Sequence, residues 1–278
     1  MGCKNSSEQS KPDPQPTNRG AMANTGIQTT KQTSKPEAPP TAAPTPQPSK
    51  QPVAQPAAAP LPQPPKVPSV TLHYFDLYGR GEVFRMLFTY LKLEFTDHRV
   101  QFSEWPALKT SPLCEFGVLP VLDINGKRLS QTKSVLRYVC QVHRLYPATT
   151  NLAEVYLVES VCDLVNDLRT PLMTLAFEKN TEGIAKHYEG GITIGLEMLE
   201  TRLAKNTTNS GFFVSGTVSM ADFVVFEFLW DFFLMTEKKE AHAARVQTHQ
   251  KLAEFAKRMR RLNPELENYL KTRPFKWL

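Results

Sequence analysis

From Ser69 the arrangement of apolar and polar positions becomes regular, and Val70-Thr71-Leu72-His73-Tyr74-Phe75 reads as a short β-strand. Gly79-Arg80-Gly81 breaks that run as a turn would. Val83, Phe84, Leu87, Phe88 and Leu91 then recur with a helical period. Phe95 to Phe102 predicts a second strand and Val118 to Ile124 a third. The third meets Lys127 to Ser130 across Asn125-Gly126, a two-residue hairpin signal. Lys133 to Arg144 predicts a helix with Val135, Leu136, Val139 and Val142 on its buried side.

The order βαβ then ββα is that of a thioredoxin-like α/β sandwich. After Pro147 strand signals stop. Leu152, Val155, Val158, Val161, Cys162, Val165 and Leu168 trace one apolar stripe, and Ile192, Leu196, Leu199 and Leu203 a second. The segment Phe223 to Met235 is apolar all round apart from Glu227 and Asp231, as a central buried helix should be. Ser219-Met220-Ala221-Asp222 ahead of it has the spacing of a capping box. Gln250 to Leu262 and Pro264 to Lys271 predict two more helices. The fold class is therefore a two-domain α+β protein: a thioredoxin-like βαβ-ββα unit at 69–147, followed by an all-α unit at 148–278.

Composition sets the first 68 residues apart, since they hold 16 of the 23 prolines and no aromatic residue. Such a segment offers too little apolar area to offset roughly 1 to 2 kcal/mol of backbone entropy per residue, and it predicts a disordered, mostly extended tether. Much of the formal net charge of +6 lies in this tail. The folded part is nearly neutral, which argues against nucleic acid as a partner. The apolar run at 223–235 is shorter than the roughly 20 residues that span a bilayer, so no transmembrane helix is expected. Neither a signal peptide nor secretion is expected, and Cys3, Cys114, Cys140 and Cys162 lack metal or disulfide spacing. These readings point to a reducing, cytoplasmic compartment. Met1-Gly2-Cys3-Lys4-Asn5-Ser6 fits the pattern for N-myristoylation of Gly2, with Cys3 as a palmitoylation site, which would tether the protein to the cytosolic face of a membrane.

Several fragments recur in a fixed order: Tyr74-Phe75 before Gly79-Arg80-Gly81-Glu82, then Glu104-Trp105-Pro106-Ala107-Leu108-Lys109, Phe116-Gly117-Val118-Leu119-Pro120-Val121-Leu122, Gln131-Thr132 and Ser219-Met220-Ala221-Asp222. In this order residues 70–278 resemble a cytosolic glutathione transferase. They are most similar to the sigma class, which includes the glutathione-dependent prostaglandin D synthases and cephalopod lens crystallins. The resemblance implies conjugation of glutathione, as co-substrate, to small electrophiles, with peroxidase or isomerase activity as variants and no metal required. Prostaglandin D synthesis and a non-catalytic, crystallin-like scaffold are the alternatives. It implies that Tyr74 stabilises the thiolate with Arg80 nearby, that Trp105 and Lys109 bind the glycine carboxylate, and that Val118, Leu119 and a cis Pro120 hold the cysteinyl main chain. Gln131 and Thr132 would receive the γ-glutamyl carboxylate. Asp167 would meet the amino group of glutathione bound to the partner subunit of a homodimer. Asp163 and Asp167, one turn apart, also read as a solvated helix face or a weak divalent-ion site. Leu77, Tyr78, Arg169 and Met173 are the electrophile-site candidates. The family's prostaglandin synthases carry a tryptophan about a turn beyond this aspartate, whereas this chain has Thr170-Pro171-Leu172-Met173-Thr174.

Overall fold

The computed structural model describes residues 69–235 and 240–273; the tail with Gly2 and Cys3 lies outside the described residues. Strand β1 (Val70–Phe75) runs through the middle of a four-stranded sheet of order β2-β1-β3-β4. The helix α1 (Gly79–Leu91) crosses over to β2 (Thr96–Val100), which lies parallel to β1. A parallel pair needs a crossover of this kind, because a tight turn can join only antiparallel strands. Strand β3 (Val121–Ile124) pairs antiparallel with β1, and β4 (Lys127–Ser130) pairs with β3. Between them Asn125 and Gly126 both adopt positive φ, as the two-residue hairpin demands.

Alternate residues of β1 decide what the sheet covers. Leu72 and Tyr74 point into the core, where they join Phe84, Leu87 and Phe88 of α1 and Val135, Leu136 and Val139 of α3 (Thr132–Val142). Each fully buried Leu or Phe stabilises the packing by roughly 1.5 to 3 kcal/mol. A short helix, α2 (Trp105–Lys109), interrupts the connection from β2 to β3.

The second half is helical. Helix α4 (Leu152–Phe177) is capped by Asn151, whose side chain accepts the Glu154 N–H, and α5 (Thr181–His187) is capped in the same way by Asn180. A π-helical turn at Tyr188–Ile192 leads into α6 (Thr193–Ala204). Helix α7 (Met220–Leu229) starts with the full capping box of Ser219 and Asp222 and continues into a second π-helical turn, Trp230–Leu234. Helices α8 (Glu240–Gln247), α9 (Gln250–Arg260) and α10 (Pro264–Thr272) complete the described chain. None of the described helices is long and apolar enough to cross a membrane.

Some expectations need correction. The apolar segment 223–235 is not one regular helix but an α-helix passing into a π-turn at Trp230. Val142 and Leu152, expected on buried stripes, are 60% and 73% exposed. Each is the end residue of its helix.

Candidate active site

Tyr74 stands near the end of β1 with its ring 5% exposed, and its hydroxyl oxygen accepts the backbone N–H of Arg80 at 2.9 Å. That donor belongs to the first turn of α1, where helical N–H groups lack intrahelical partners and the helix dipole is positive. Two glycines make the contact feasible. A Cβ on Gly79 would lie 2.6 Å from the Tyr74 hydroxyl, and one on Gly81 only 2.3 Å from its ring. Gly79 also has φ +44, a left-handed conformation. Burial pushes the phenol above its ordinary pKa, against the pull of the Arg80 N–H and of the positive charges on Arg85, Arg80 and Arg169. Tyr74 therefore keeps its proton at neutral pH and is equipped to donate a hydrogen bond rather than to act as a base.

A cavity of about 390 Å³ opens beside this turn and is lined from α1 by Arg80, from the start of α3 by Gln131 just before it and Thr132 within it, from α4 by Arg169 and from α7 by Glu227. It thus gathers four sequence-predicted residues, Arg80, Gln131, Thr132 and Arg169, from three separate stretches of the chain. Gln131, immediately before α3, holds φ +74, and no side chain caps the helix start. A non-glycine residue in such a region costs about 1 to 3 kcal/mol, and such residues cluster at functional sites. Lys133 is turned to Glu159 at 2.8 Å and to Asp163, so that aspartate is already paired. Asp167 lies exposed on α4, outside the cavity lining.

The remaining peptide-binding candidates come from the connection between β2 and β3. Trp105 meets Phe75, the residue after Tyr74, edge-on at 5.5 Å. Lys109 lies against Gly117, where an added Cβ would sit 3.5 Å from its Cγ. The peptide bond between Leu119 and Pro120 is cis, directly before β3; Val118 is exposed, Leu119 half-buried and Pro120 buried.

Comparison with known proteins gives this geometry a context. The family described as "Glutathione S-transferase, C-terminal domain" matches residues 166–273. A glutathione S-transferase of Anopheles gambiae is 31% identical over 160 residues, covering 56% of this chain and 75% of that protein. The hematopoietic prostaglandin D synthase of Gallus gallus is 30% identical over 56% of this chain and 76% of its own. The crystal structure of the glutathione S-transferase from Ascaris lumbricoides superposes with a TM-score of 0.62 at 27% identity, over 74% of this chain and 98% of that one. The chain belongs to the glutathione S-transferase family. Glutathione is the co-substrate of these transferases, and the two-layer order of sheet then helices is theirs.

Within this transferase the electrophile-site candidates divide. Arg169 lines the cavity, but Leu77, Tyr78 and Met173 do not. Leu77 and Tyr78 are buried in packing, Tyr78 beneath the guanidinium of Arg273 at 4.0 Å, and Met173 is half-buried. Arg169 itself is ion-paired with Glu227 across the cavity wall. Burial raises the Glu227 carboxyl, which Arg169 pulls down while Asp231 and Glu82 add to the rise. Sequence reasoning registered Glu227 only as an interruption of an apolar run. An acid in an otherwise apolar helix is itself a signal, since a buried charge needs a partner. Cys114, Cys140 and Cys162 are buried, the last two within the apolar core; burial raises all three thiols, Cys162 to about 12.

Proposed function

We propose that this transferase conjugates the thiolate of glutathione to small electrophiles at the site centred on Tyr74. One observation carries the reading: the hydroxyl of Tyr74 is occupied as an acceptor by the Arg80 N–H and retains its own proton for donation. An ordinary thiol, with a pKa near ~8.5, is mostly protonated at neutral pH. Each tenfold gain in thiolate needs about 1.4 kcal/mol, and a hydrogen bond to a charged acceptor supplies about 1.5 to 3 kcal/mol. Tyr74 gives that bond and Arg80 adds positive potential.

Trp105 and Lys109 hold the glycine carboxylate; Val118, Leu119 and Pro120 hold the cysteinyl main chain, with Leu119 pairing as an added strand does. Gln131 and Thr132 take the γ-glutamyl carboxylate at the positive end of α3. Asp167 reaches the glutathione of a second copy, so the working form is a homodimer of the sigma type. Arg169 and Glu227 form the polar wall of the electrophile pocket, which Leu77, Tyr78 and Met173 shape from behind. Residues 69–147 act as the glutathione-binding domain, 148–278 as the helical domain, and 1–68 as a tether acylated at Gly2 and Cys3 on a cytosolic membrane face.

Replacing Tyr74 by Phe keeps the ring and removes the donor. The expected outcome is a conjugation rate with a generic aryl halide lowered about tenfold or more, with little change in glutathione affinity. An unaffected rate removes Tyr74 from the mechanism.

A further inference from the structure

Arg273 follows the last turn of α10, at the far end of the described chain, yet its side chain is almost entirely buried. Burying a guanidinium is expensive unless every donor finds a partner. Arg273 binds Glu82 through Nη1 and the Asp231 carboxylate through Nη2 at 2.6 Å, and its plane stacks on the Tyr78 ring at 4.0 Å. Glu82 lies in the first turn of α1 and is fully buried. Its Oε1 also accepts the Tyr269 hydroxyl of α10 at 2.6 Å, and its Oε2 accepts Arg85 Nη1 at 3.1 Å.

Arg85 extends the chain of contacts to the loop that follows Tyr74. Its Nη1 donates to the Leu77 carbonyl at 2.8 Å, its Nη2 to the Phe75 carbonyl at 3.4 Å, and its Nε to Asp97 at 3.0 Å. A continuous buried path therefore runs from the end of α10 through Glu82 and Arg85 to the carbonyls at 75 and 77. It ends where position matters most. The turn that carries Glu82 also carries the Arg80 N–H that fills the Tyr74 hydroxyl, and Gly79 and Gly81 leave no slack between that turn and the phenol.

We propose that Arg273 is a positioning residue for thiol ionisation: it fixes the first turn of α1 through Glu82 and so sets the hydroxyl of Tyr74 against the sulfur. The proposal rests on the reading of Tyr74 given above. Without Arg273, Glu82 and Asp231 lose the cation they share, the turn shifts, and the hydrogen bond to sulfur lengthens. Lysine supplies charge but not the two-armed fork that spans both carboxylates, so it replaces arginine only in part.

The test is an ultraviolet titration of the thiolate of glutathione bound to the wild-type full chain, Arg273→Gln, Arg273→Lys and Leu266→Ala. Leu266 is a buried core residue of α10 and reports what mere loosening of that helix does. The expected result is that Arg273→Gln raises the titration midpoint and lowers the thiolate fraction at neutral pH about threefold or more. Its kcat falls in step while KM for glutathione stays within about twofold. Arg273→Lys lies between Gln and wild type, and carries the test alone if Gln prevents folding. Leu266→Ala lowers Tm but keeps the wild-type midpoint. A depressed wild-type midpoint that both Arg273 variants share, or a shift no larger than that of Leu266→Ala, overturns the proposal and leaves the role of Tyr74 standing. A wild-type midpoint equal to that of free glutathione overturns both.

Discussion

At the scale of single residues the site is a matter of tenths of an ångström. Gly81 bears on the Tyr74 ring so closely that even a methyl group would have to displace it, since its Cβ would come 2.3 Å from Cδ1. The ring cannot move away freely, because it is buried and its hydroxyl is tied to Arg80. Gly81→Ala is therefore expected to lower kcat/KM for conjugation about tenfold or more, a scale set by what small misplacements of reacting groups do. The far-ultraviolet spectrum should keep its helical signature. Steady-state kinetics beside circular dichroism check this, and wild-type kinetics in Gly81→Ala would show that the fit of the ring to the turn is irrelevant. The phenol and its turn were legible in the sequence because they are local: Tyr74, Gly79, Arg80 and Gly81 fall within eight consecutive positions. The wall of Arg169 and Glu227 was only half legible. Its members stand 58 residues apart on different helices, and no short pattern joins them.

At the scale of elements, legibility followed length and periodicity. Helices α1, α3, α4, α6, α9 and α10 each present a repeating apolar face and were readable. The missed helices α2, α5 and α8 run five to eight residues, too short for a period to declare itself. The ion-pair seam between α3 and α4 was also invisible, because each half is an ordinary charged helix face. Glu159 of α4 accepts both arms of Arg137 at 2.7 Å, with Lys133 at 2.8 Å and the Tyr146 hydroxyl at 2.6 Å. Burial alone would raise its carboxyl, but the bonds from Arg137, Lys133 and Tyr146 prevail and lower it from 4.5 to about 2. A folded-state pKa below the unfolded one means that this stabilisation is complete above about 4.5 and is lost as the pH falls towards 2. Glu159→Gln should therefore be less stable than wild type at pH 7, by a margin that narrows steadily below about pH 4.5. Urea midpoints across that range measure the margin, and a constant difference would mean that the carboxylate charge contributes nothing.

On the scale of the whole molecule the order of sheet then helices was readable because each has a different period: alternation and turns up to Ser130, then helical stripes after Pro147. How Arg273 returns to the first helix was not, since that contact spans 191 residues and depends on the packing of α10. The tail raises the remaining question, which is where the transferase works. Gly2 with Ser6 satisfies the myristoylation pattern and Cys3 offers a second attachment point. A single myristoyl chain binds membranes only marginally, with an association constant of order 10⁴ M⁻¹, so residence would hang on acylation of Cys3. Expressed in its native cells, the wild-type protein should sediment with membranes and carry the added mass of both acyl groups. Cys3→Ser should shift it largely to the soluble fraction with the myristoyl mass alone, and Gly2→Ala should abolish both modifications. Conjugating activity per molecule should be equal in all three, because the residues placed in the site run from Tyr74 to Glu227. An unacylated Gly2 on the native protein, read by intact mass, would reduce residues 1–68 to a spacer.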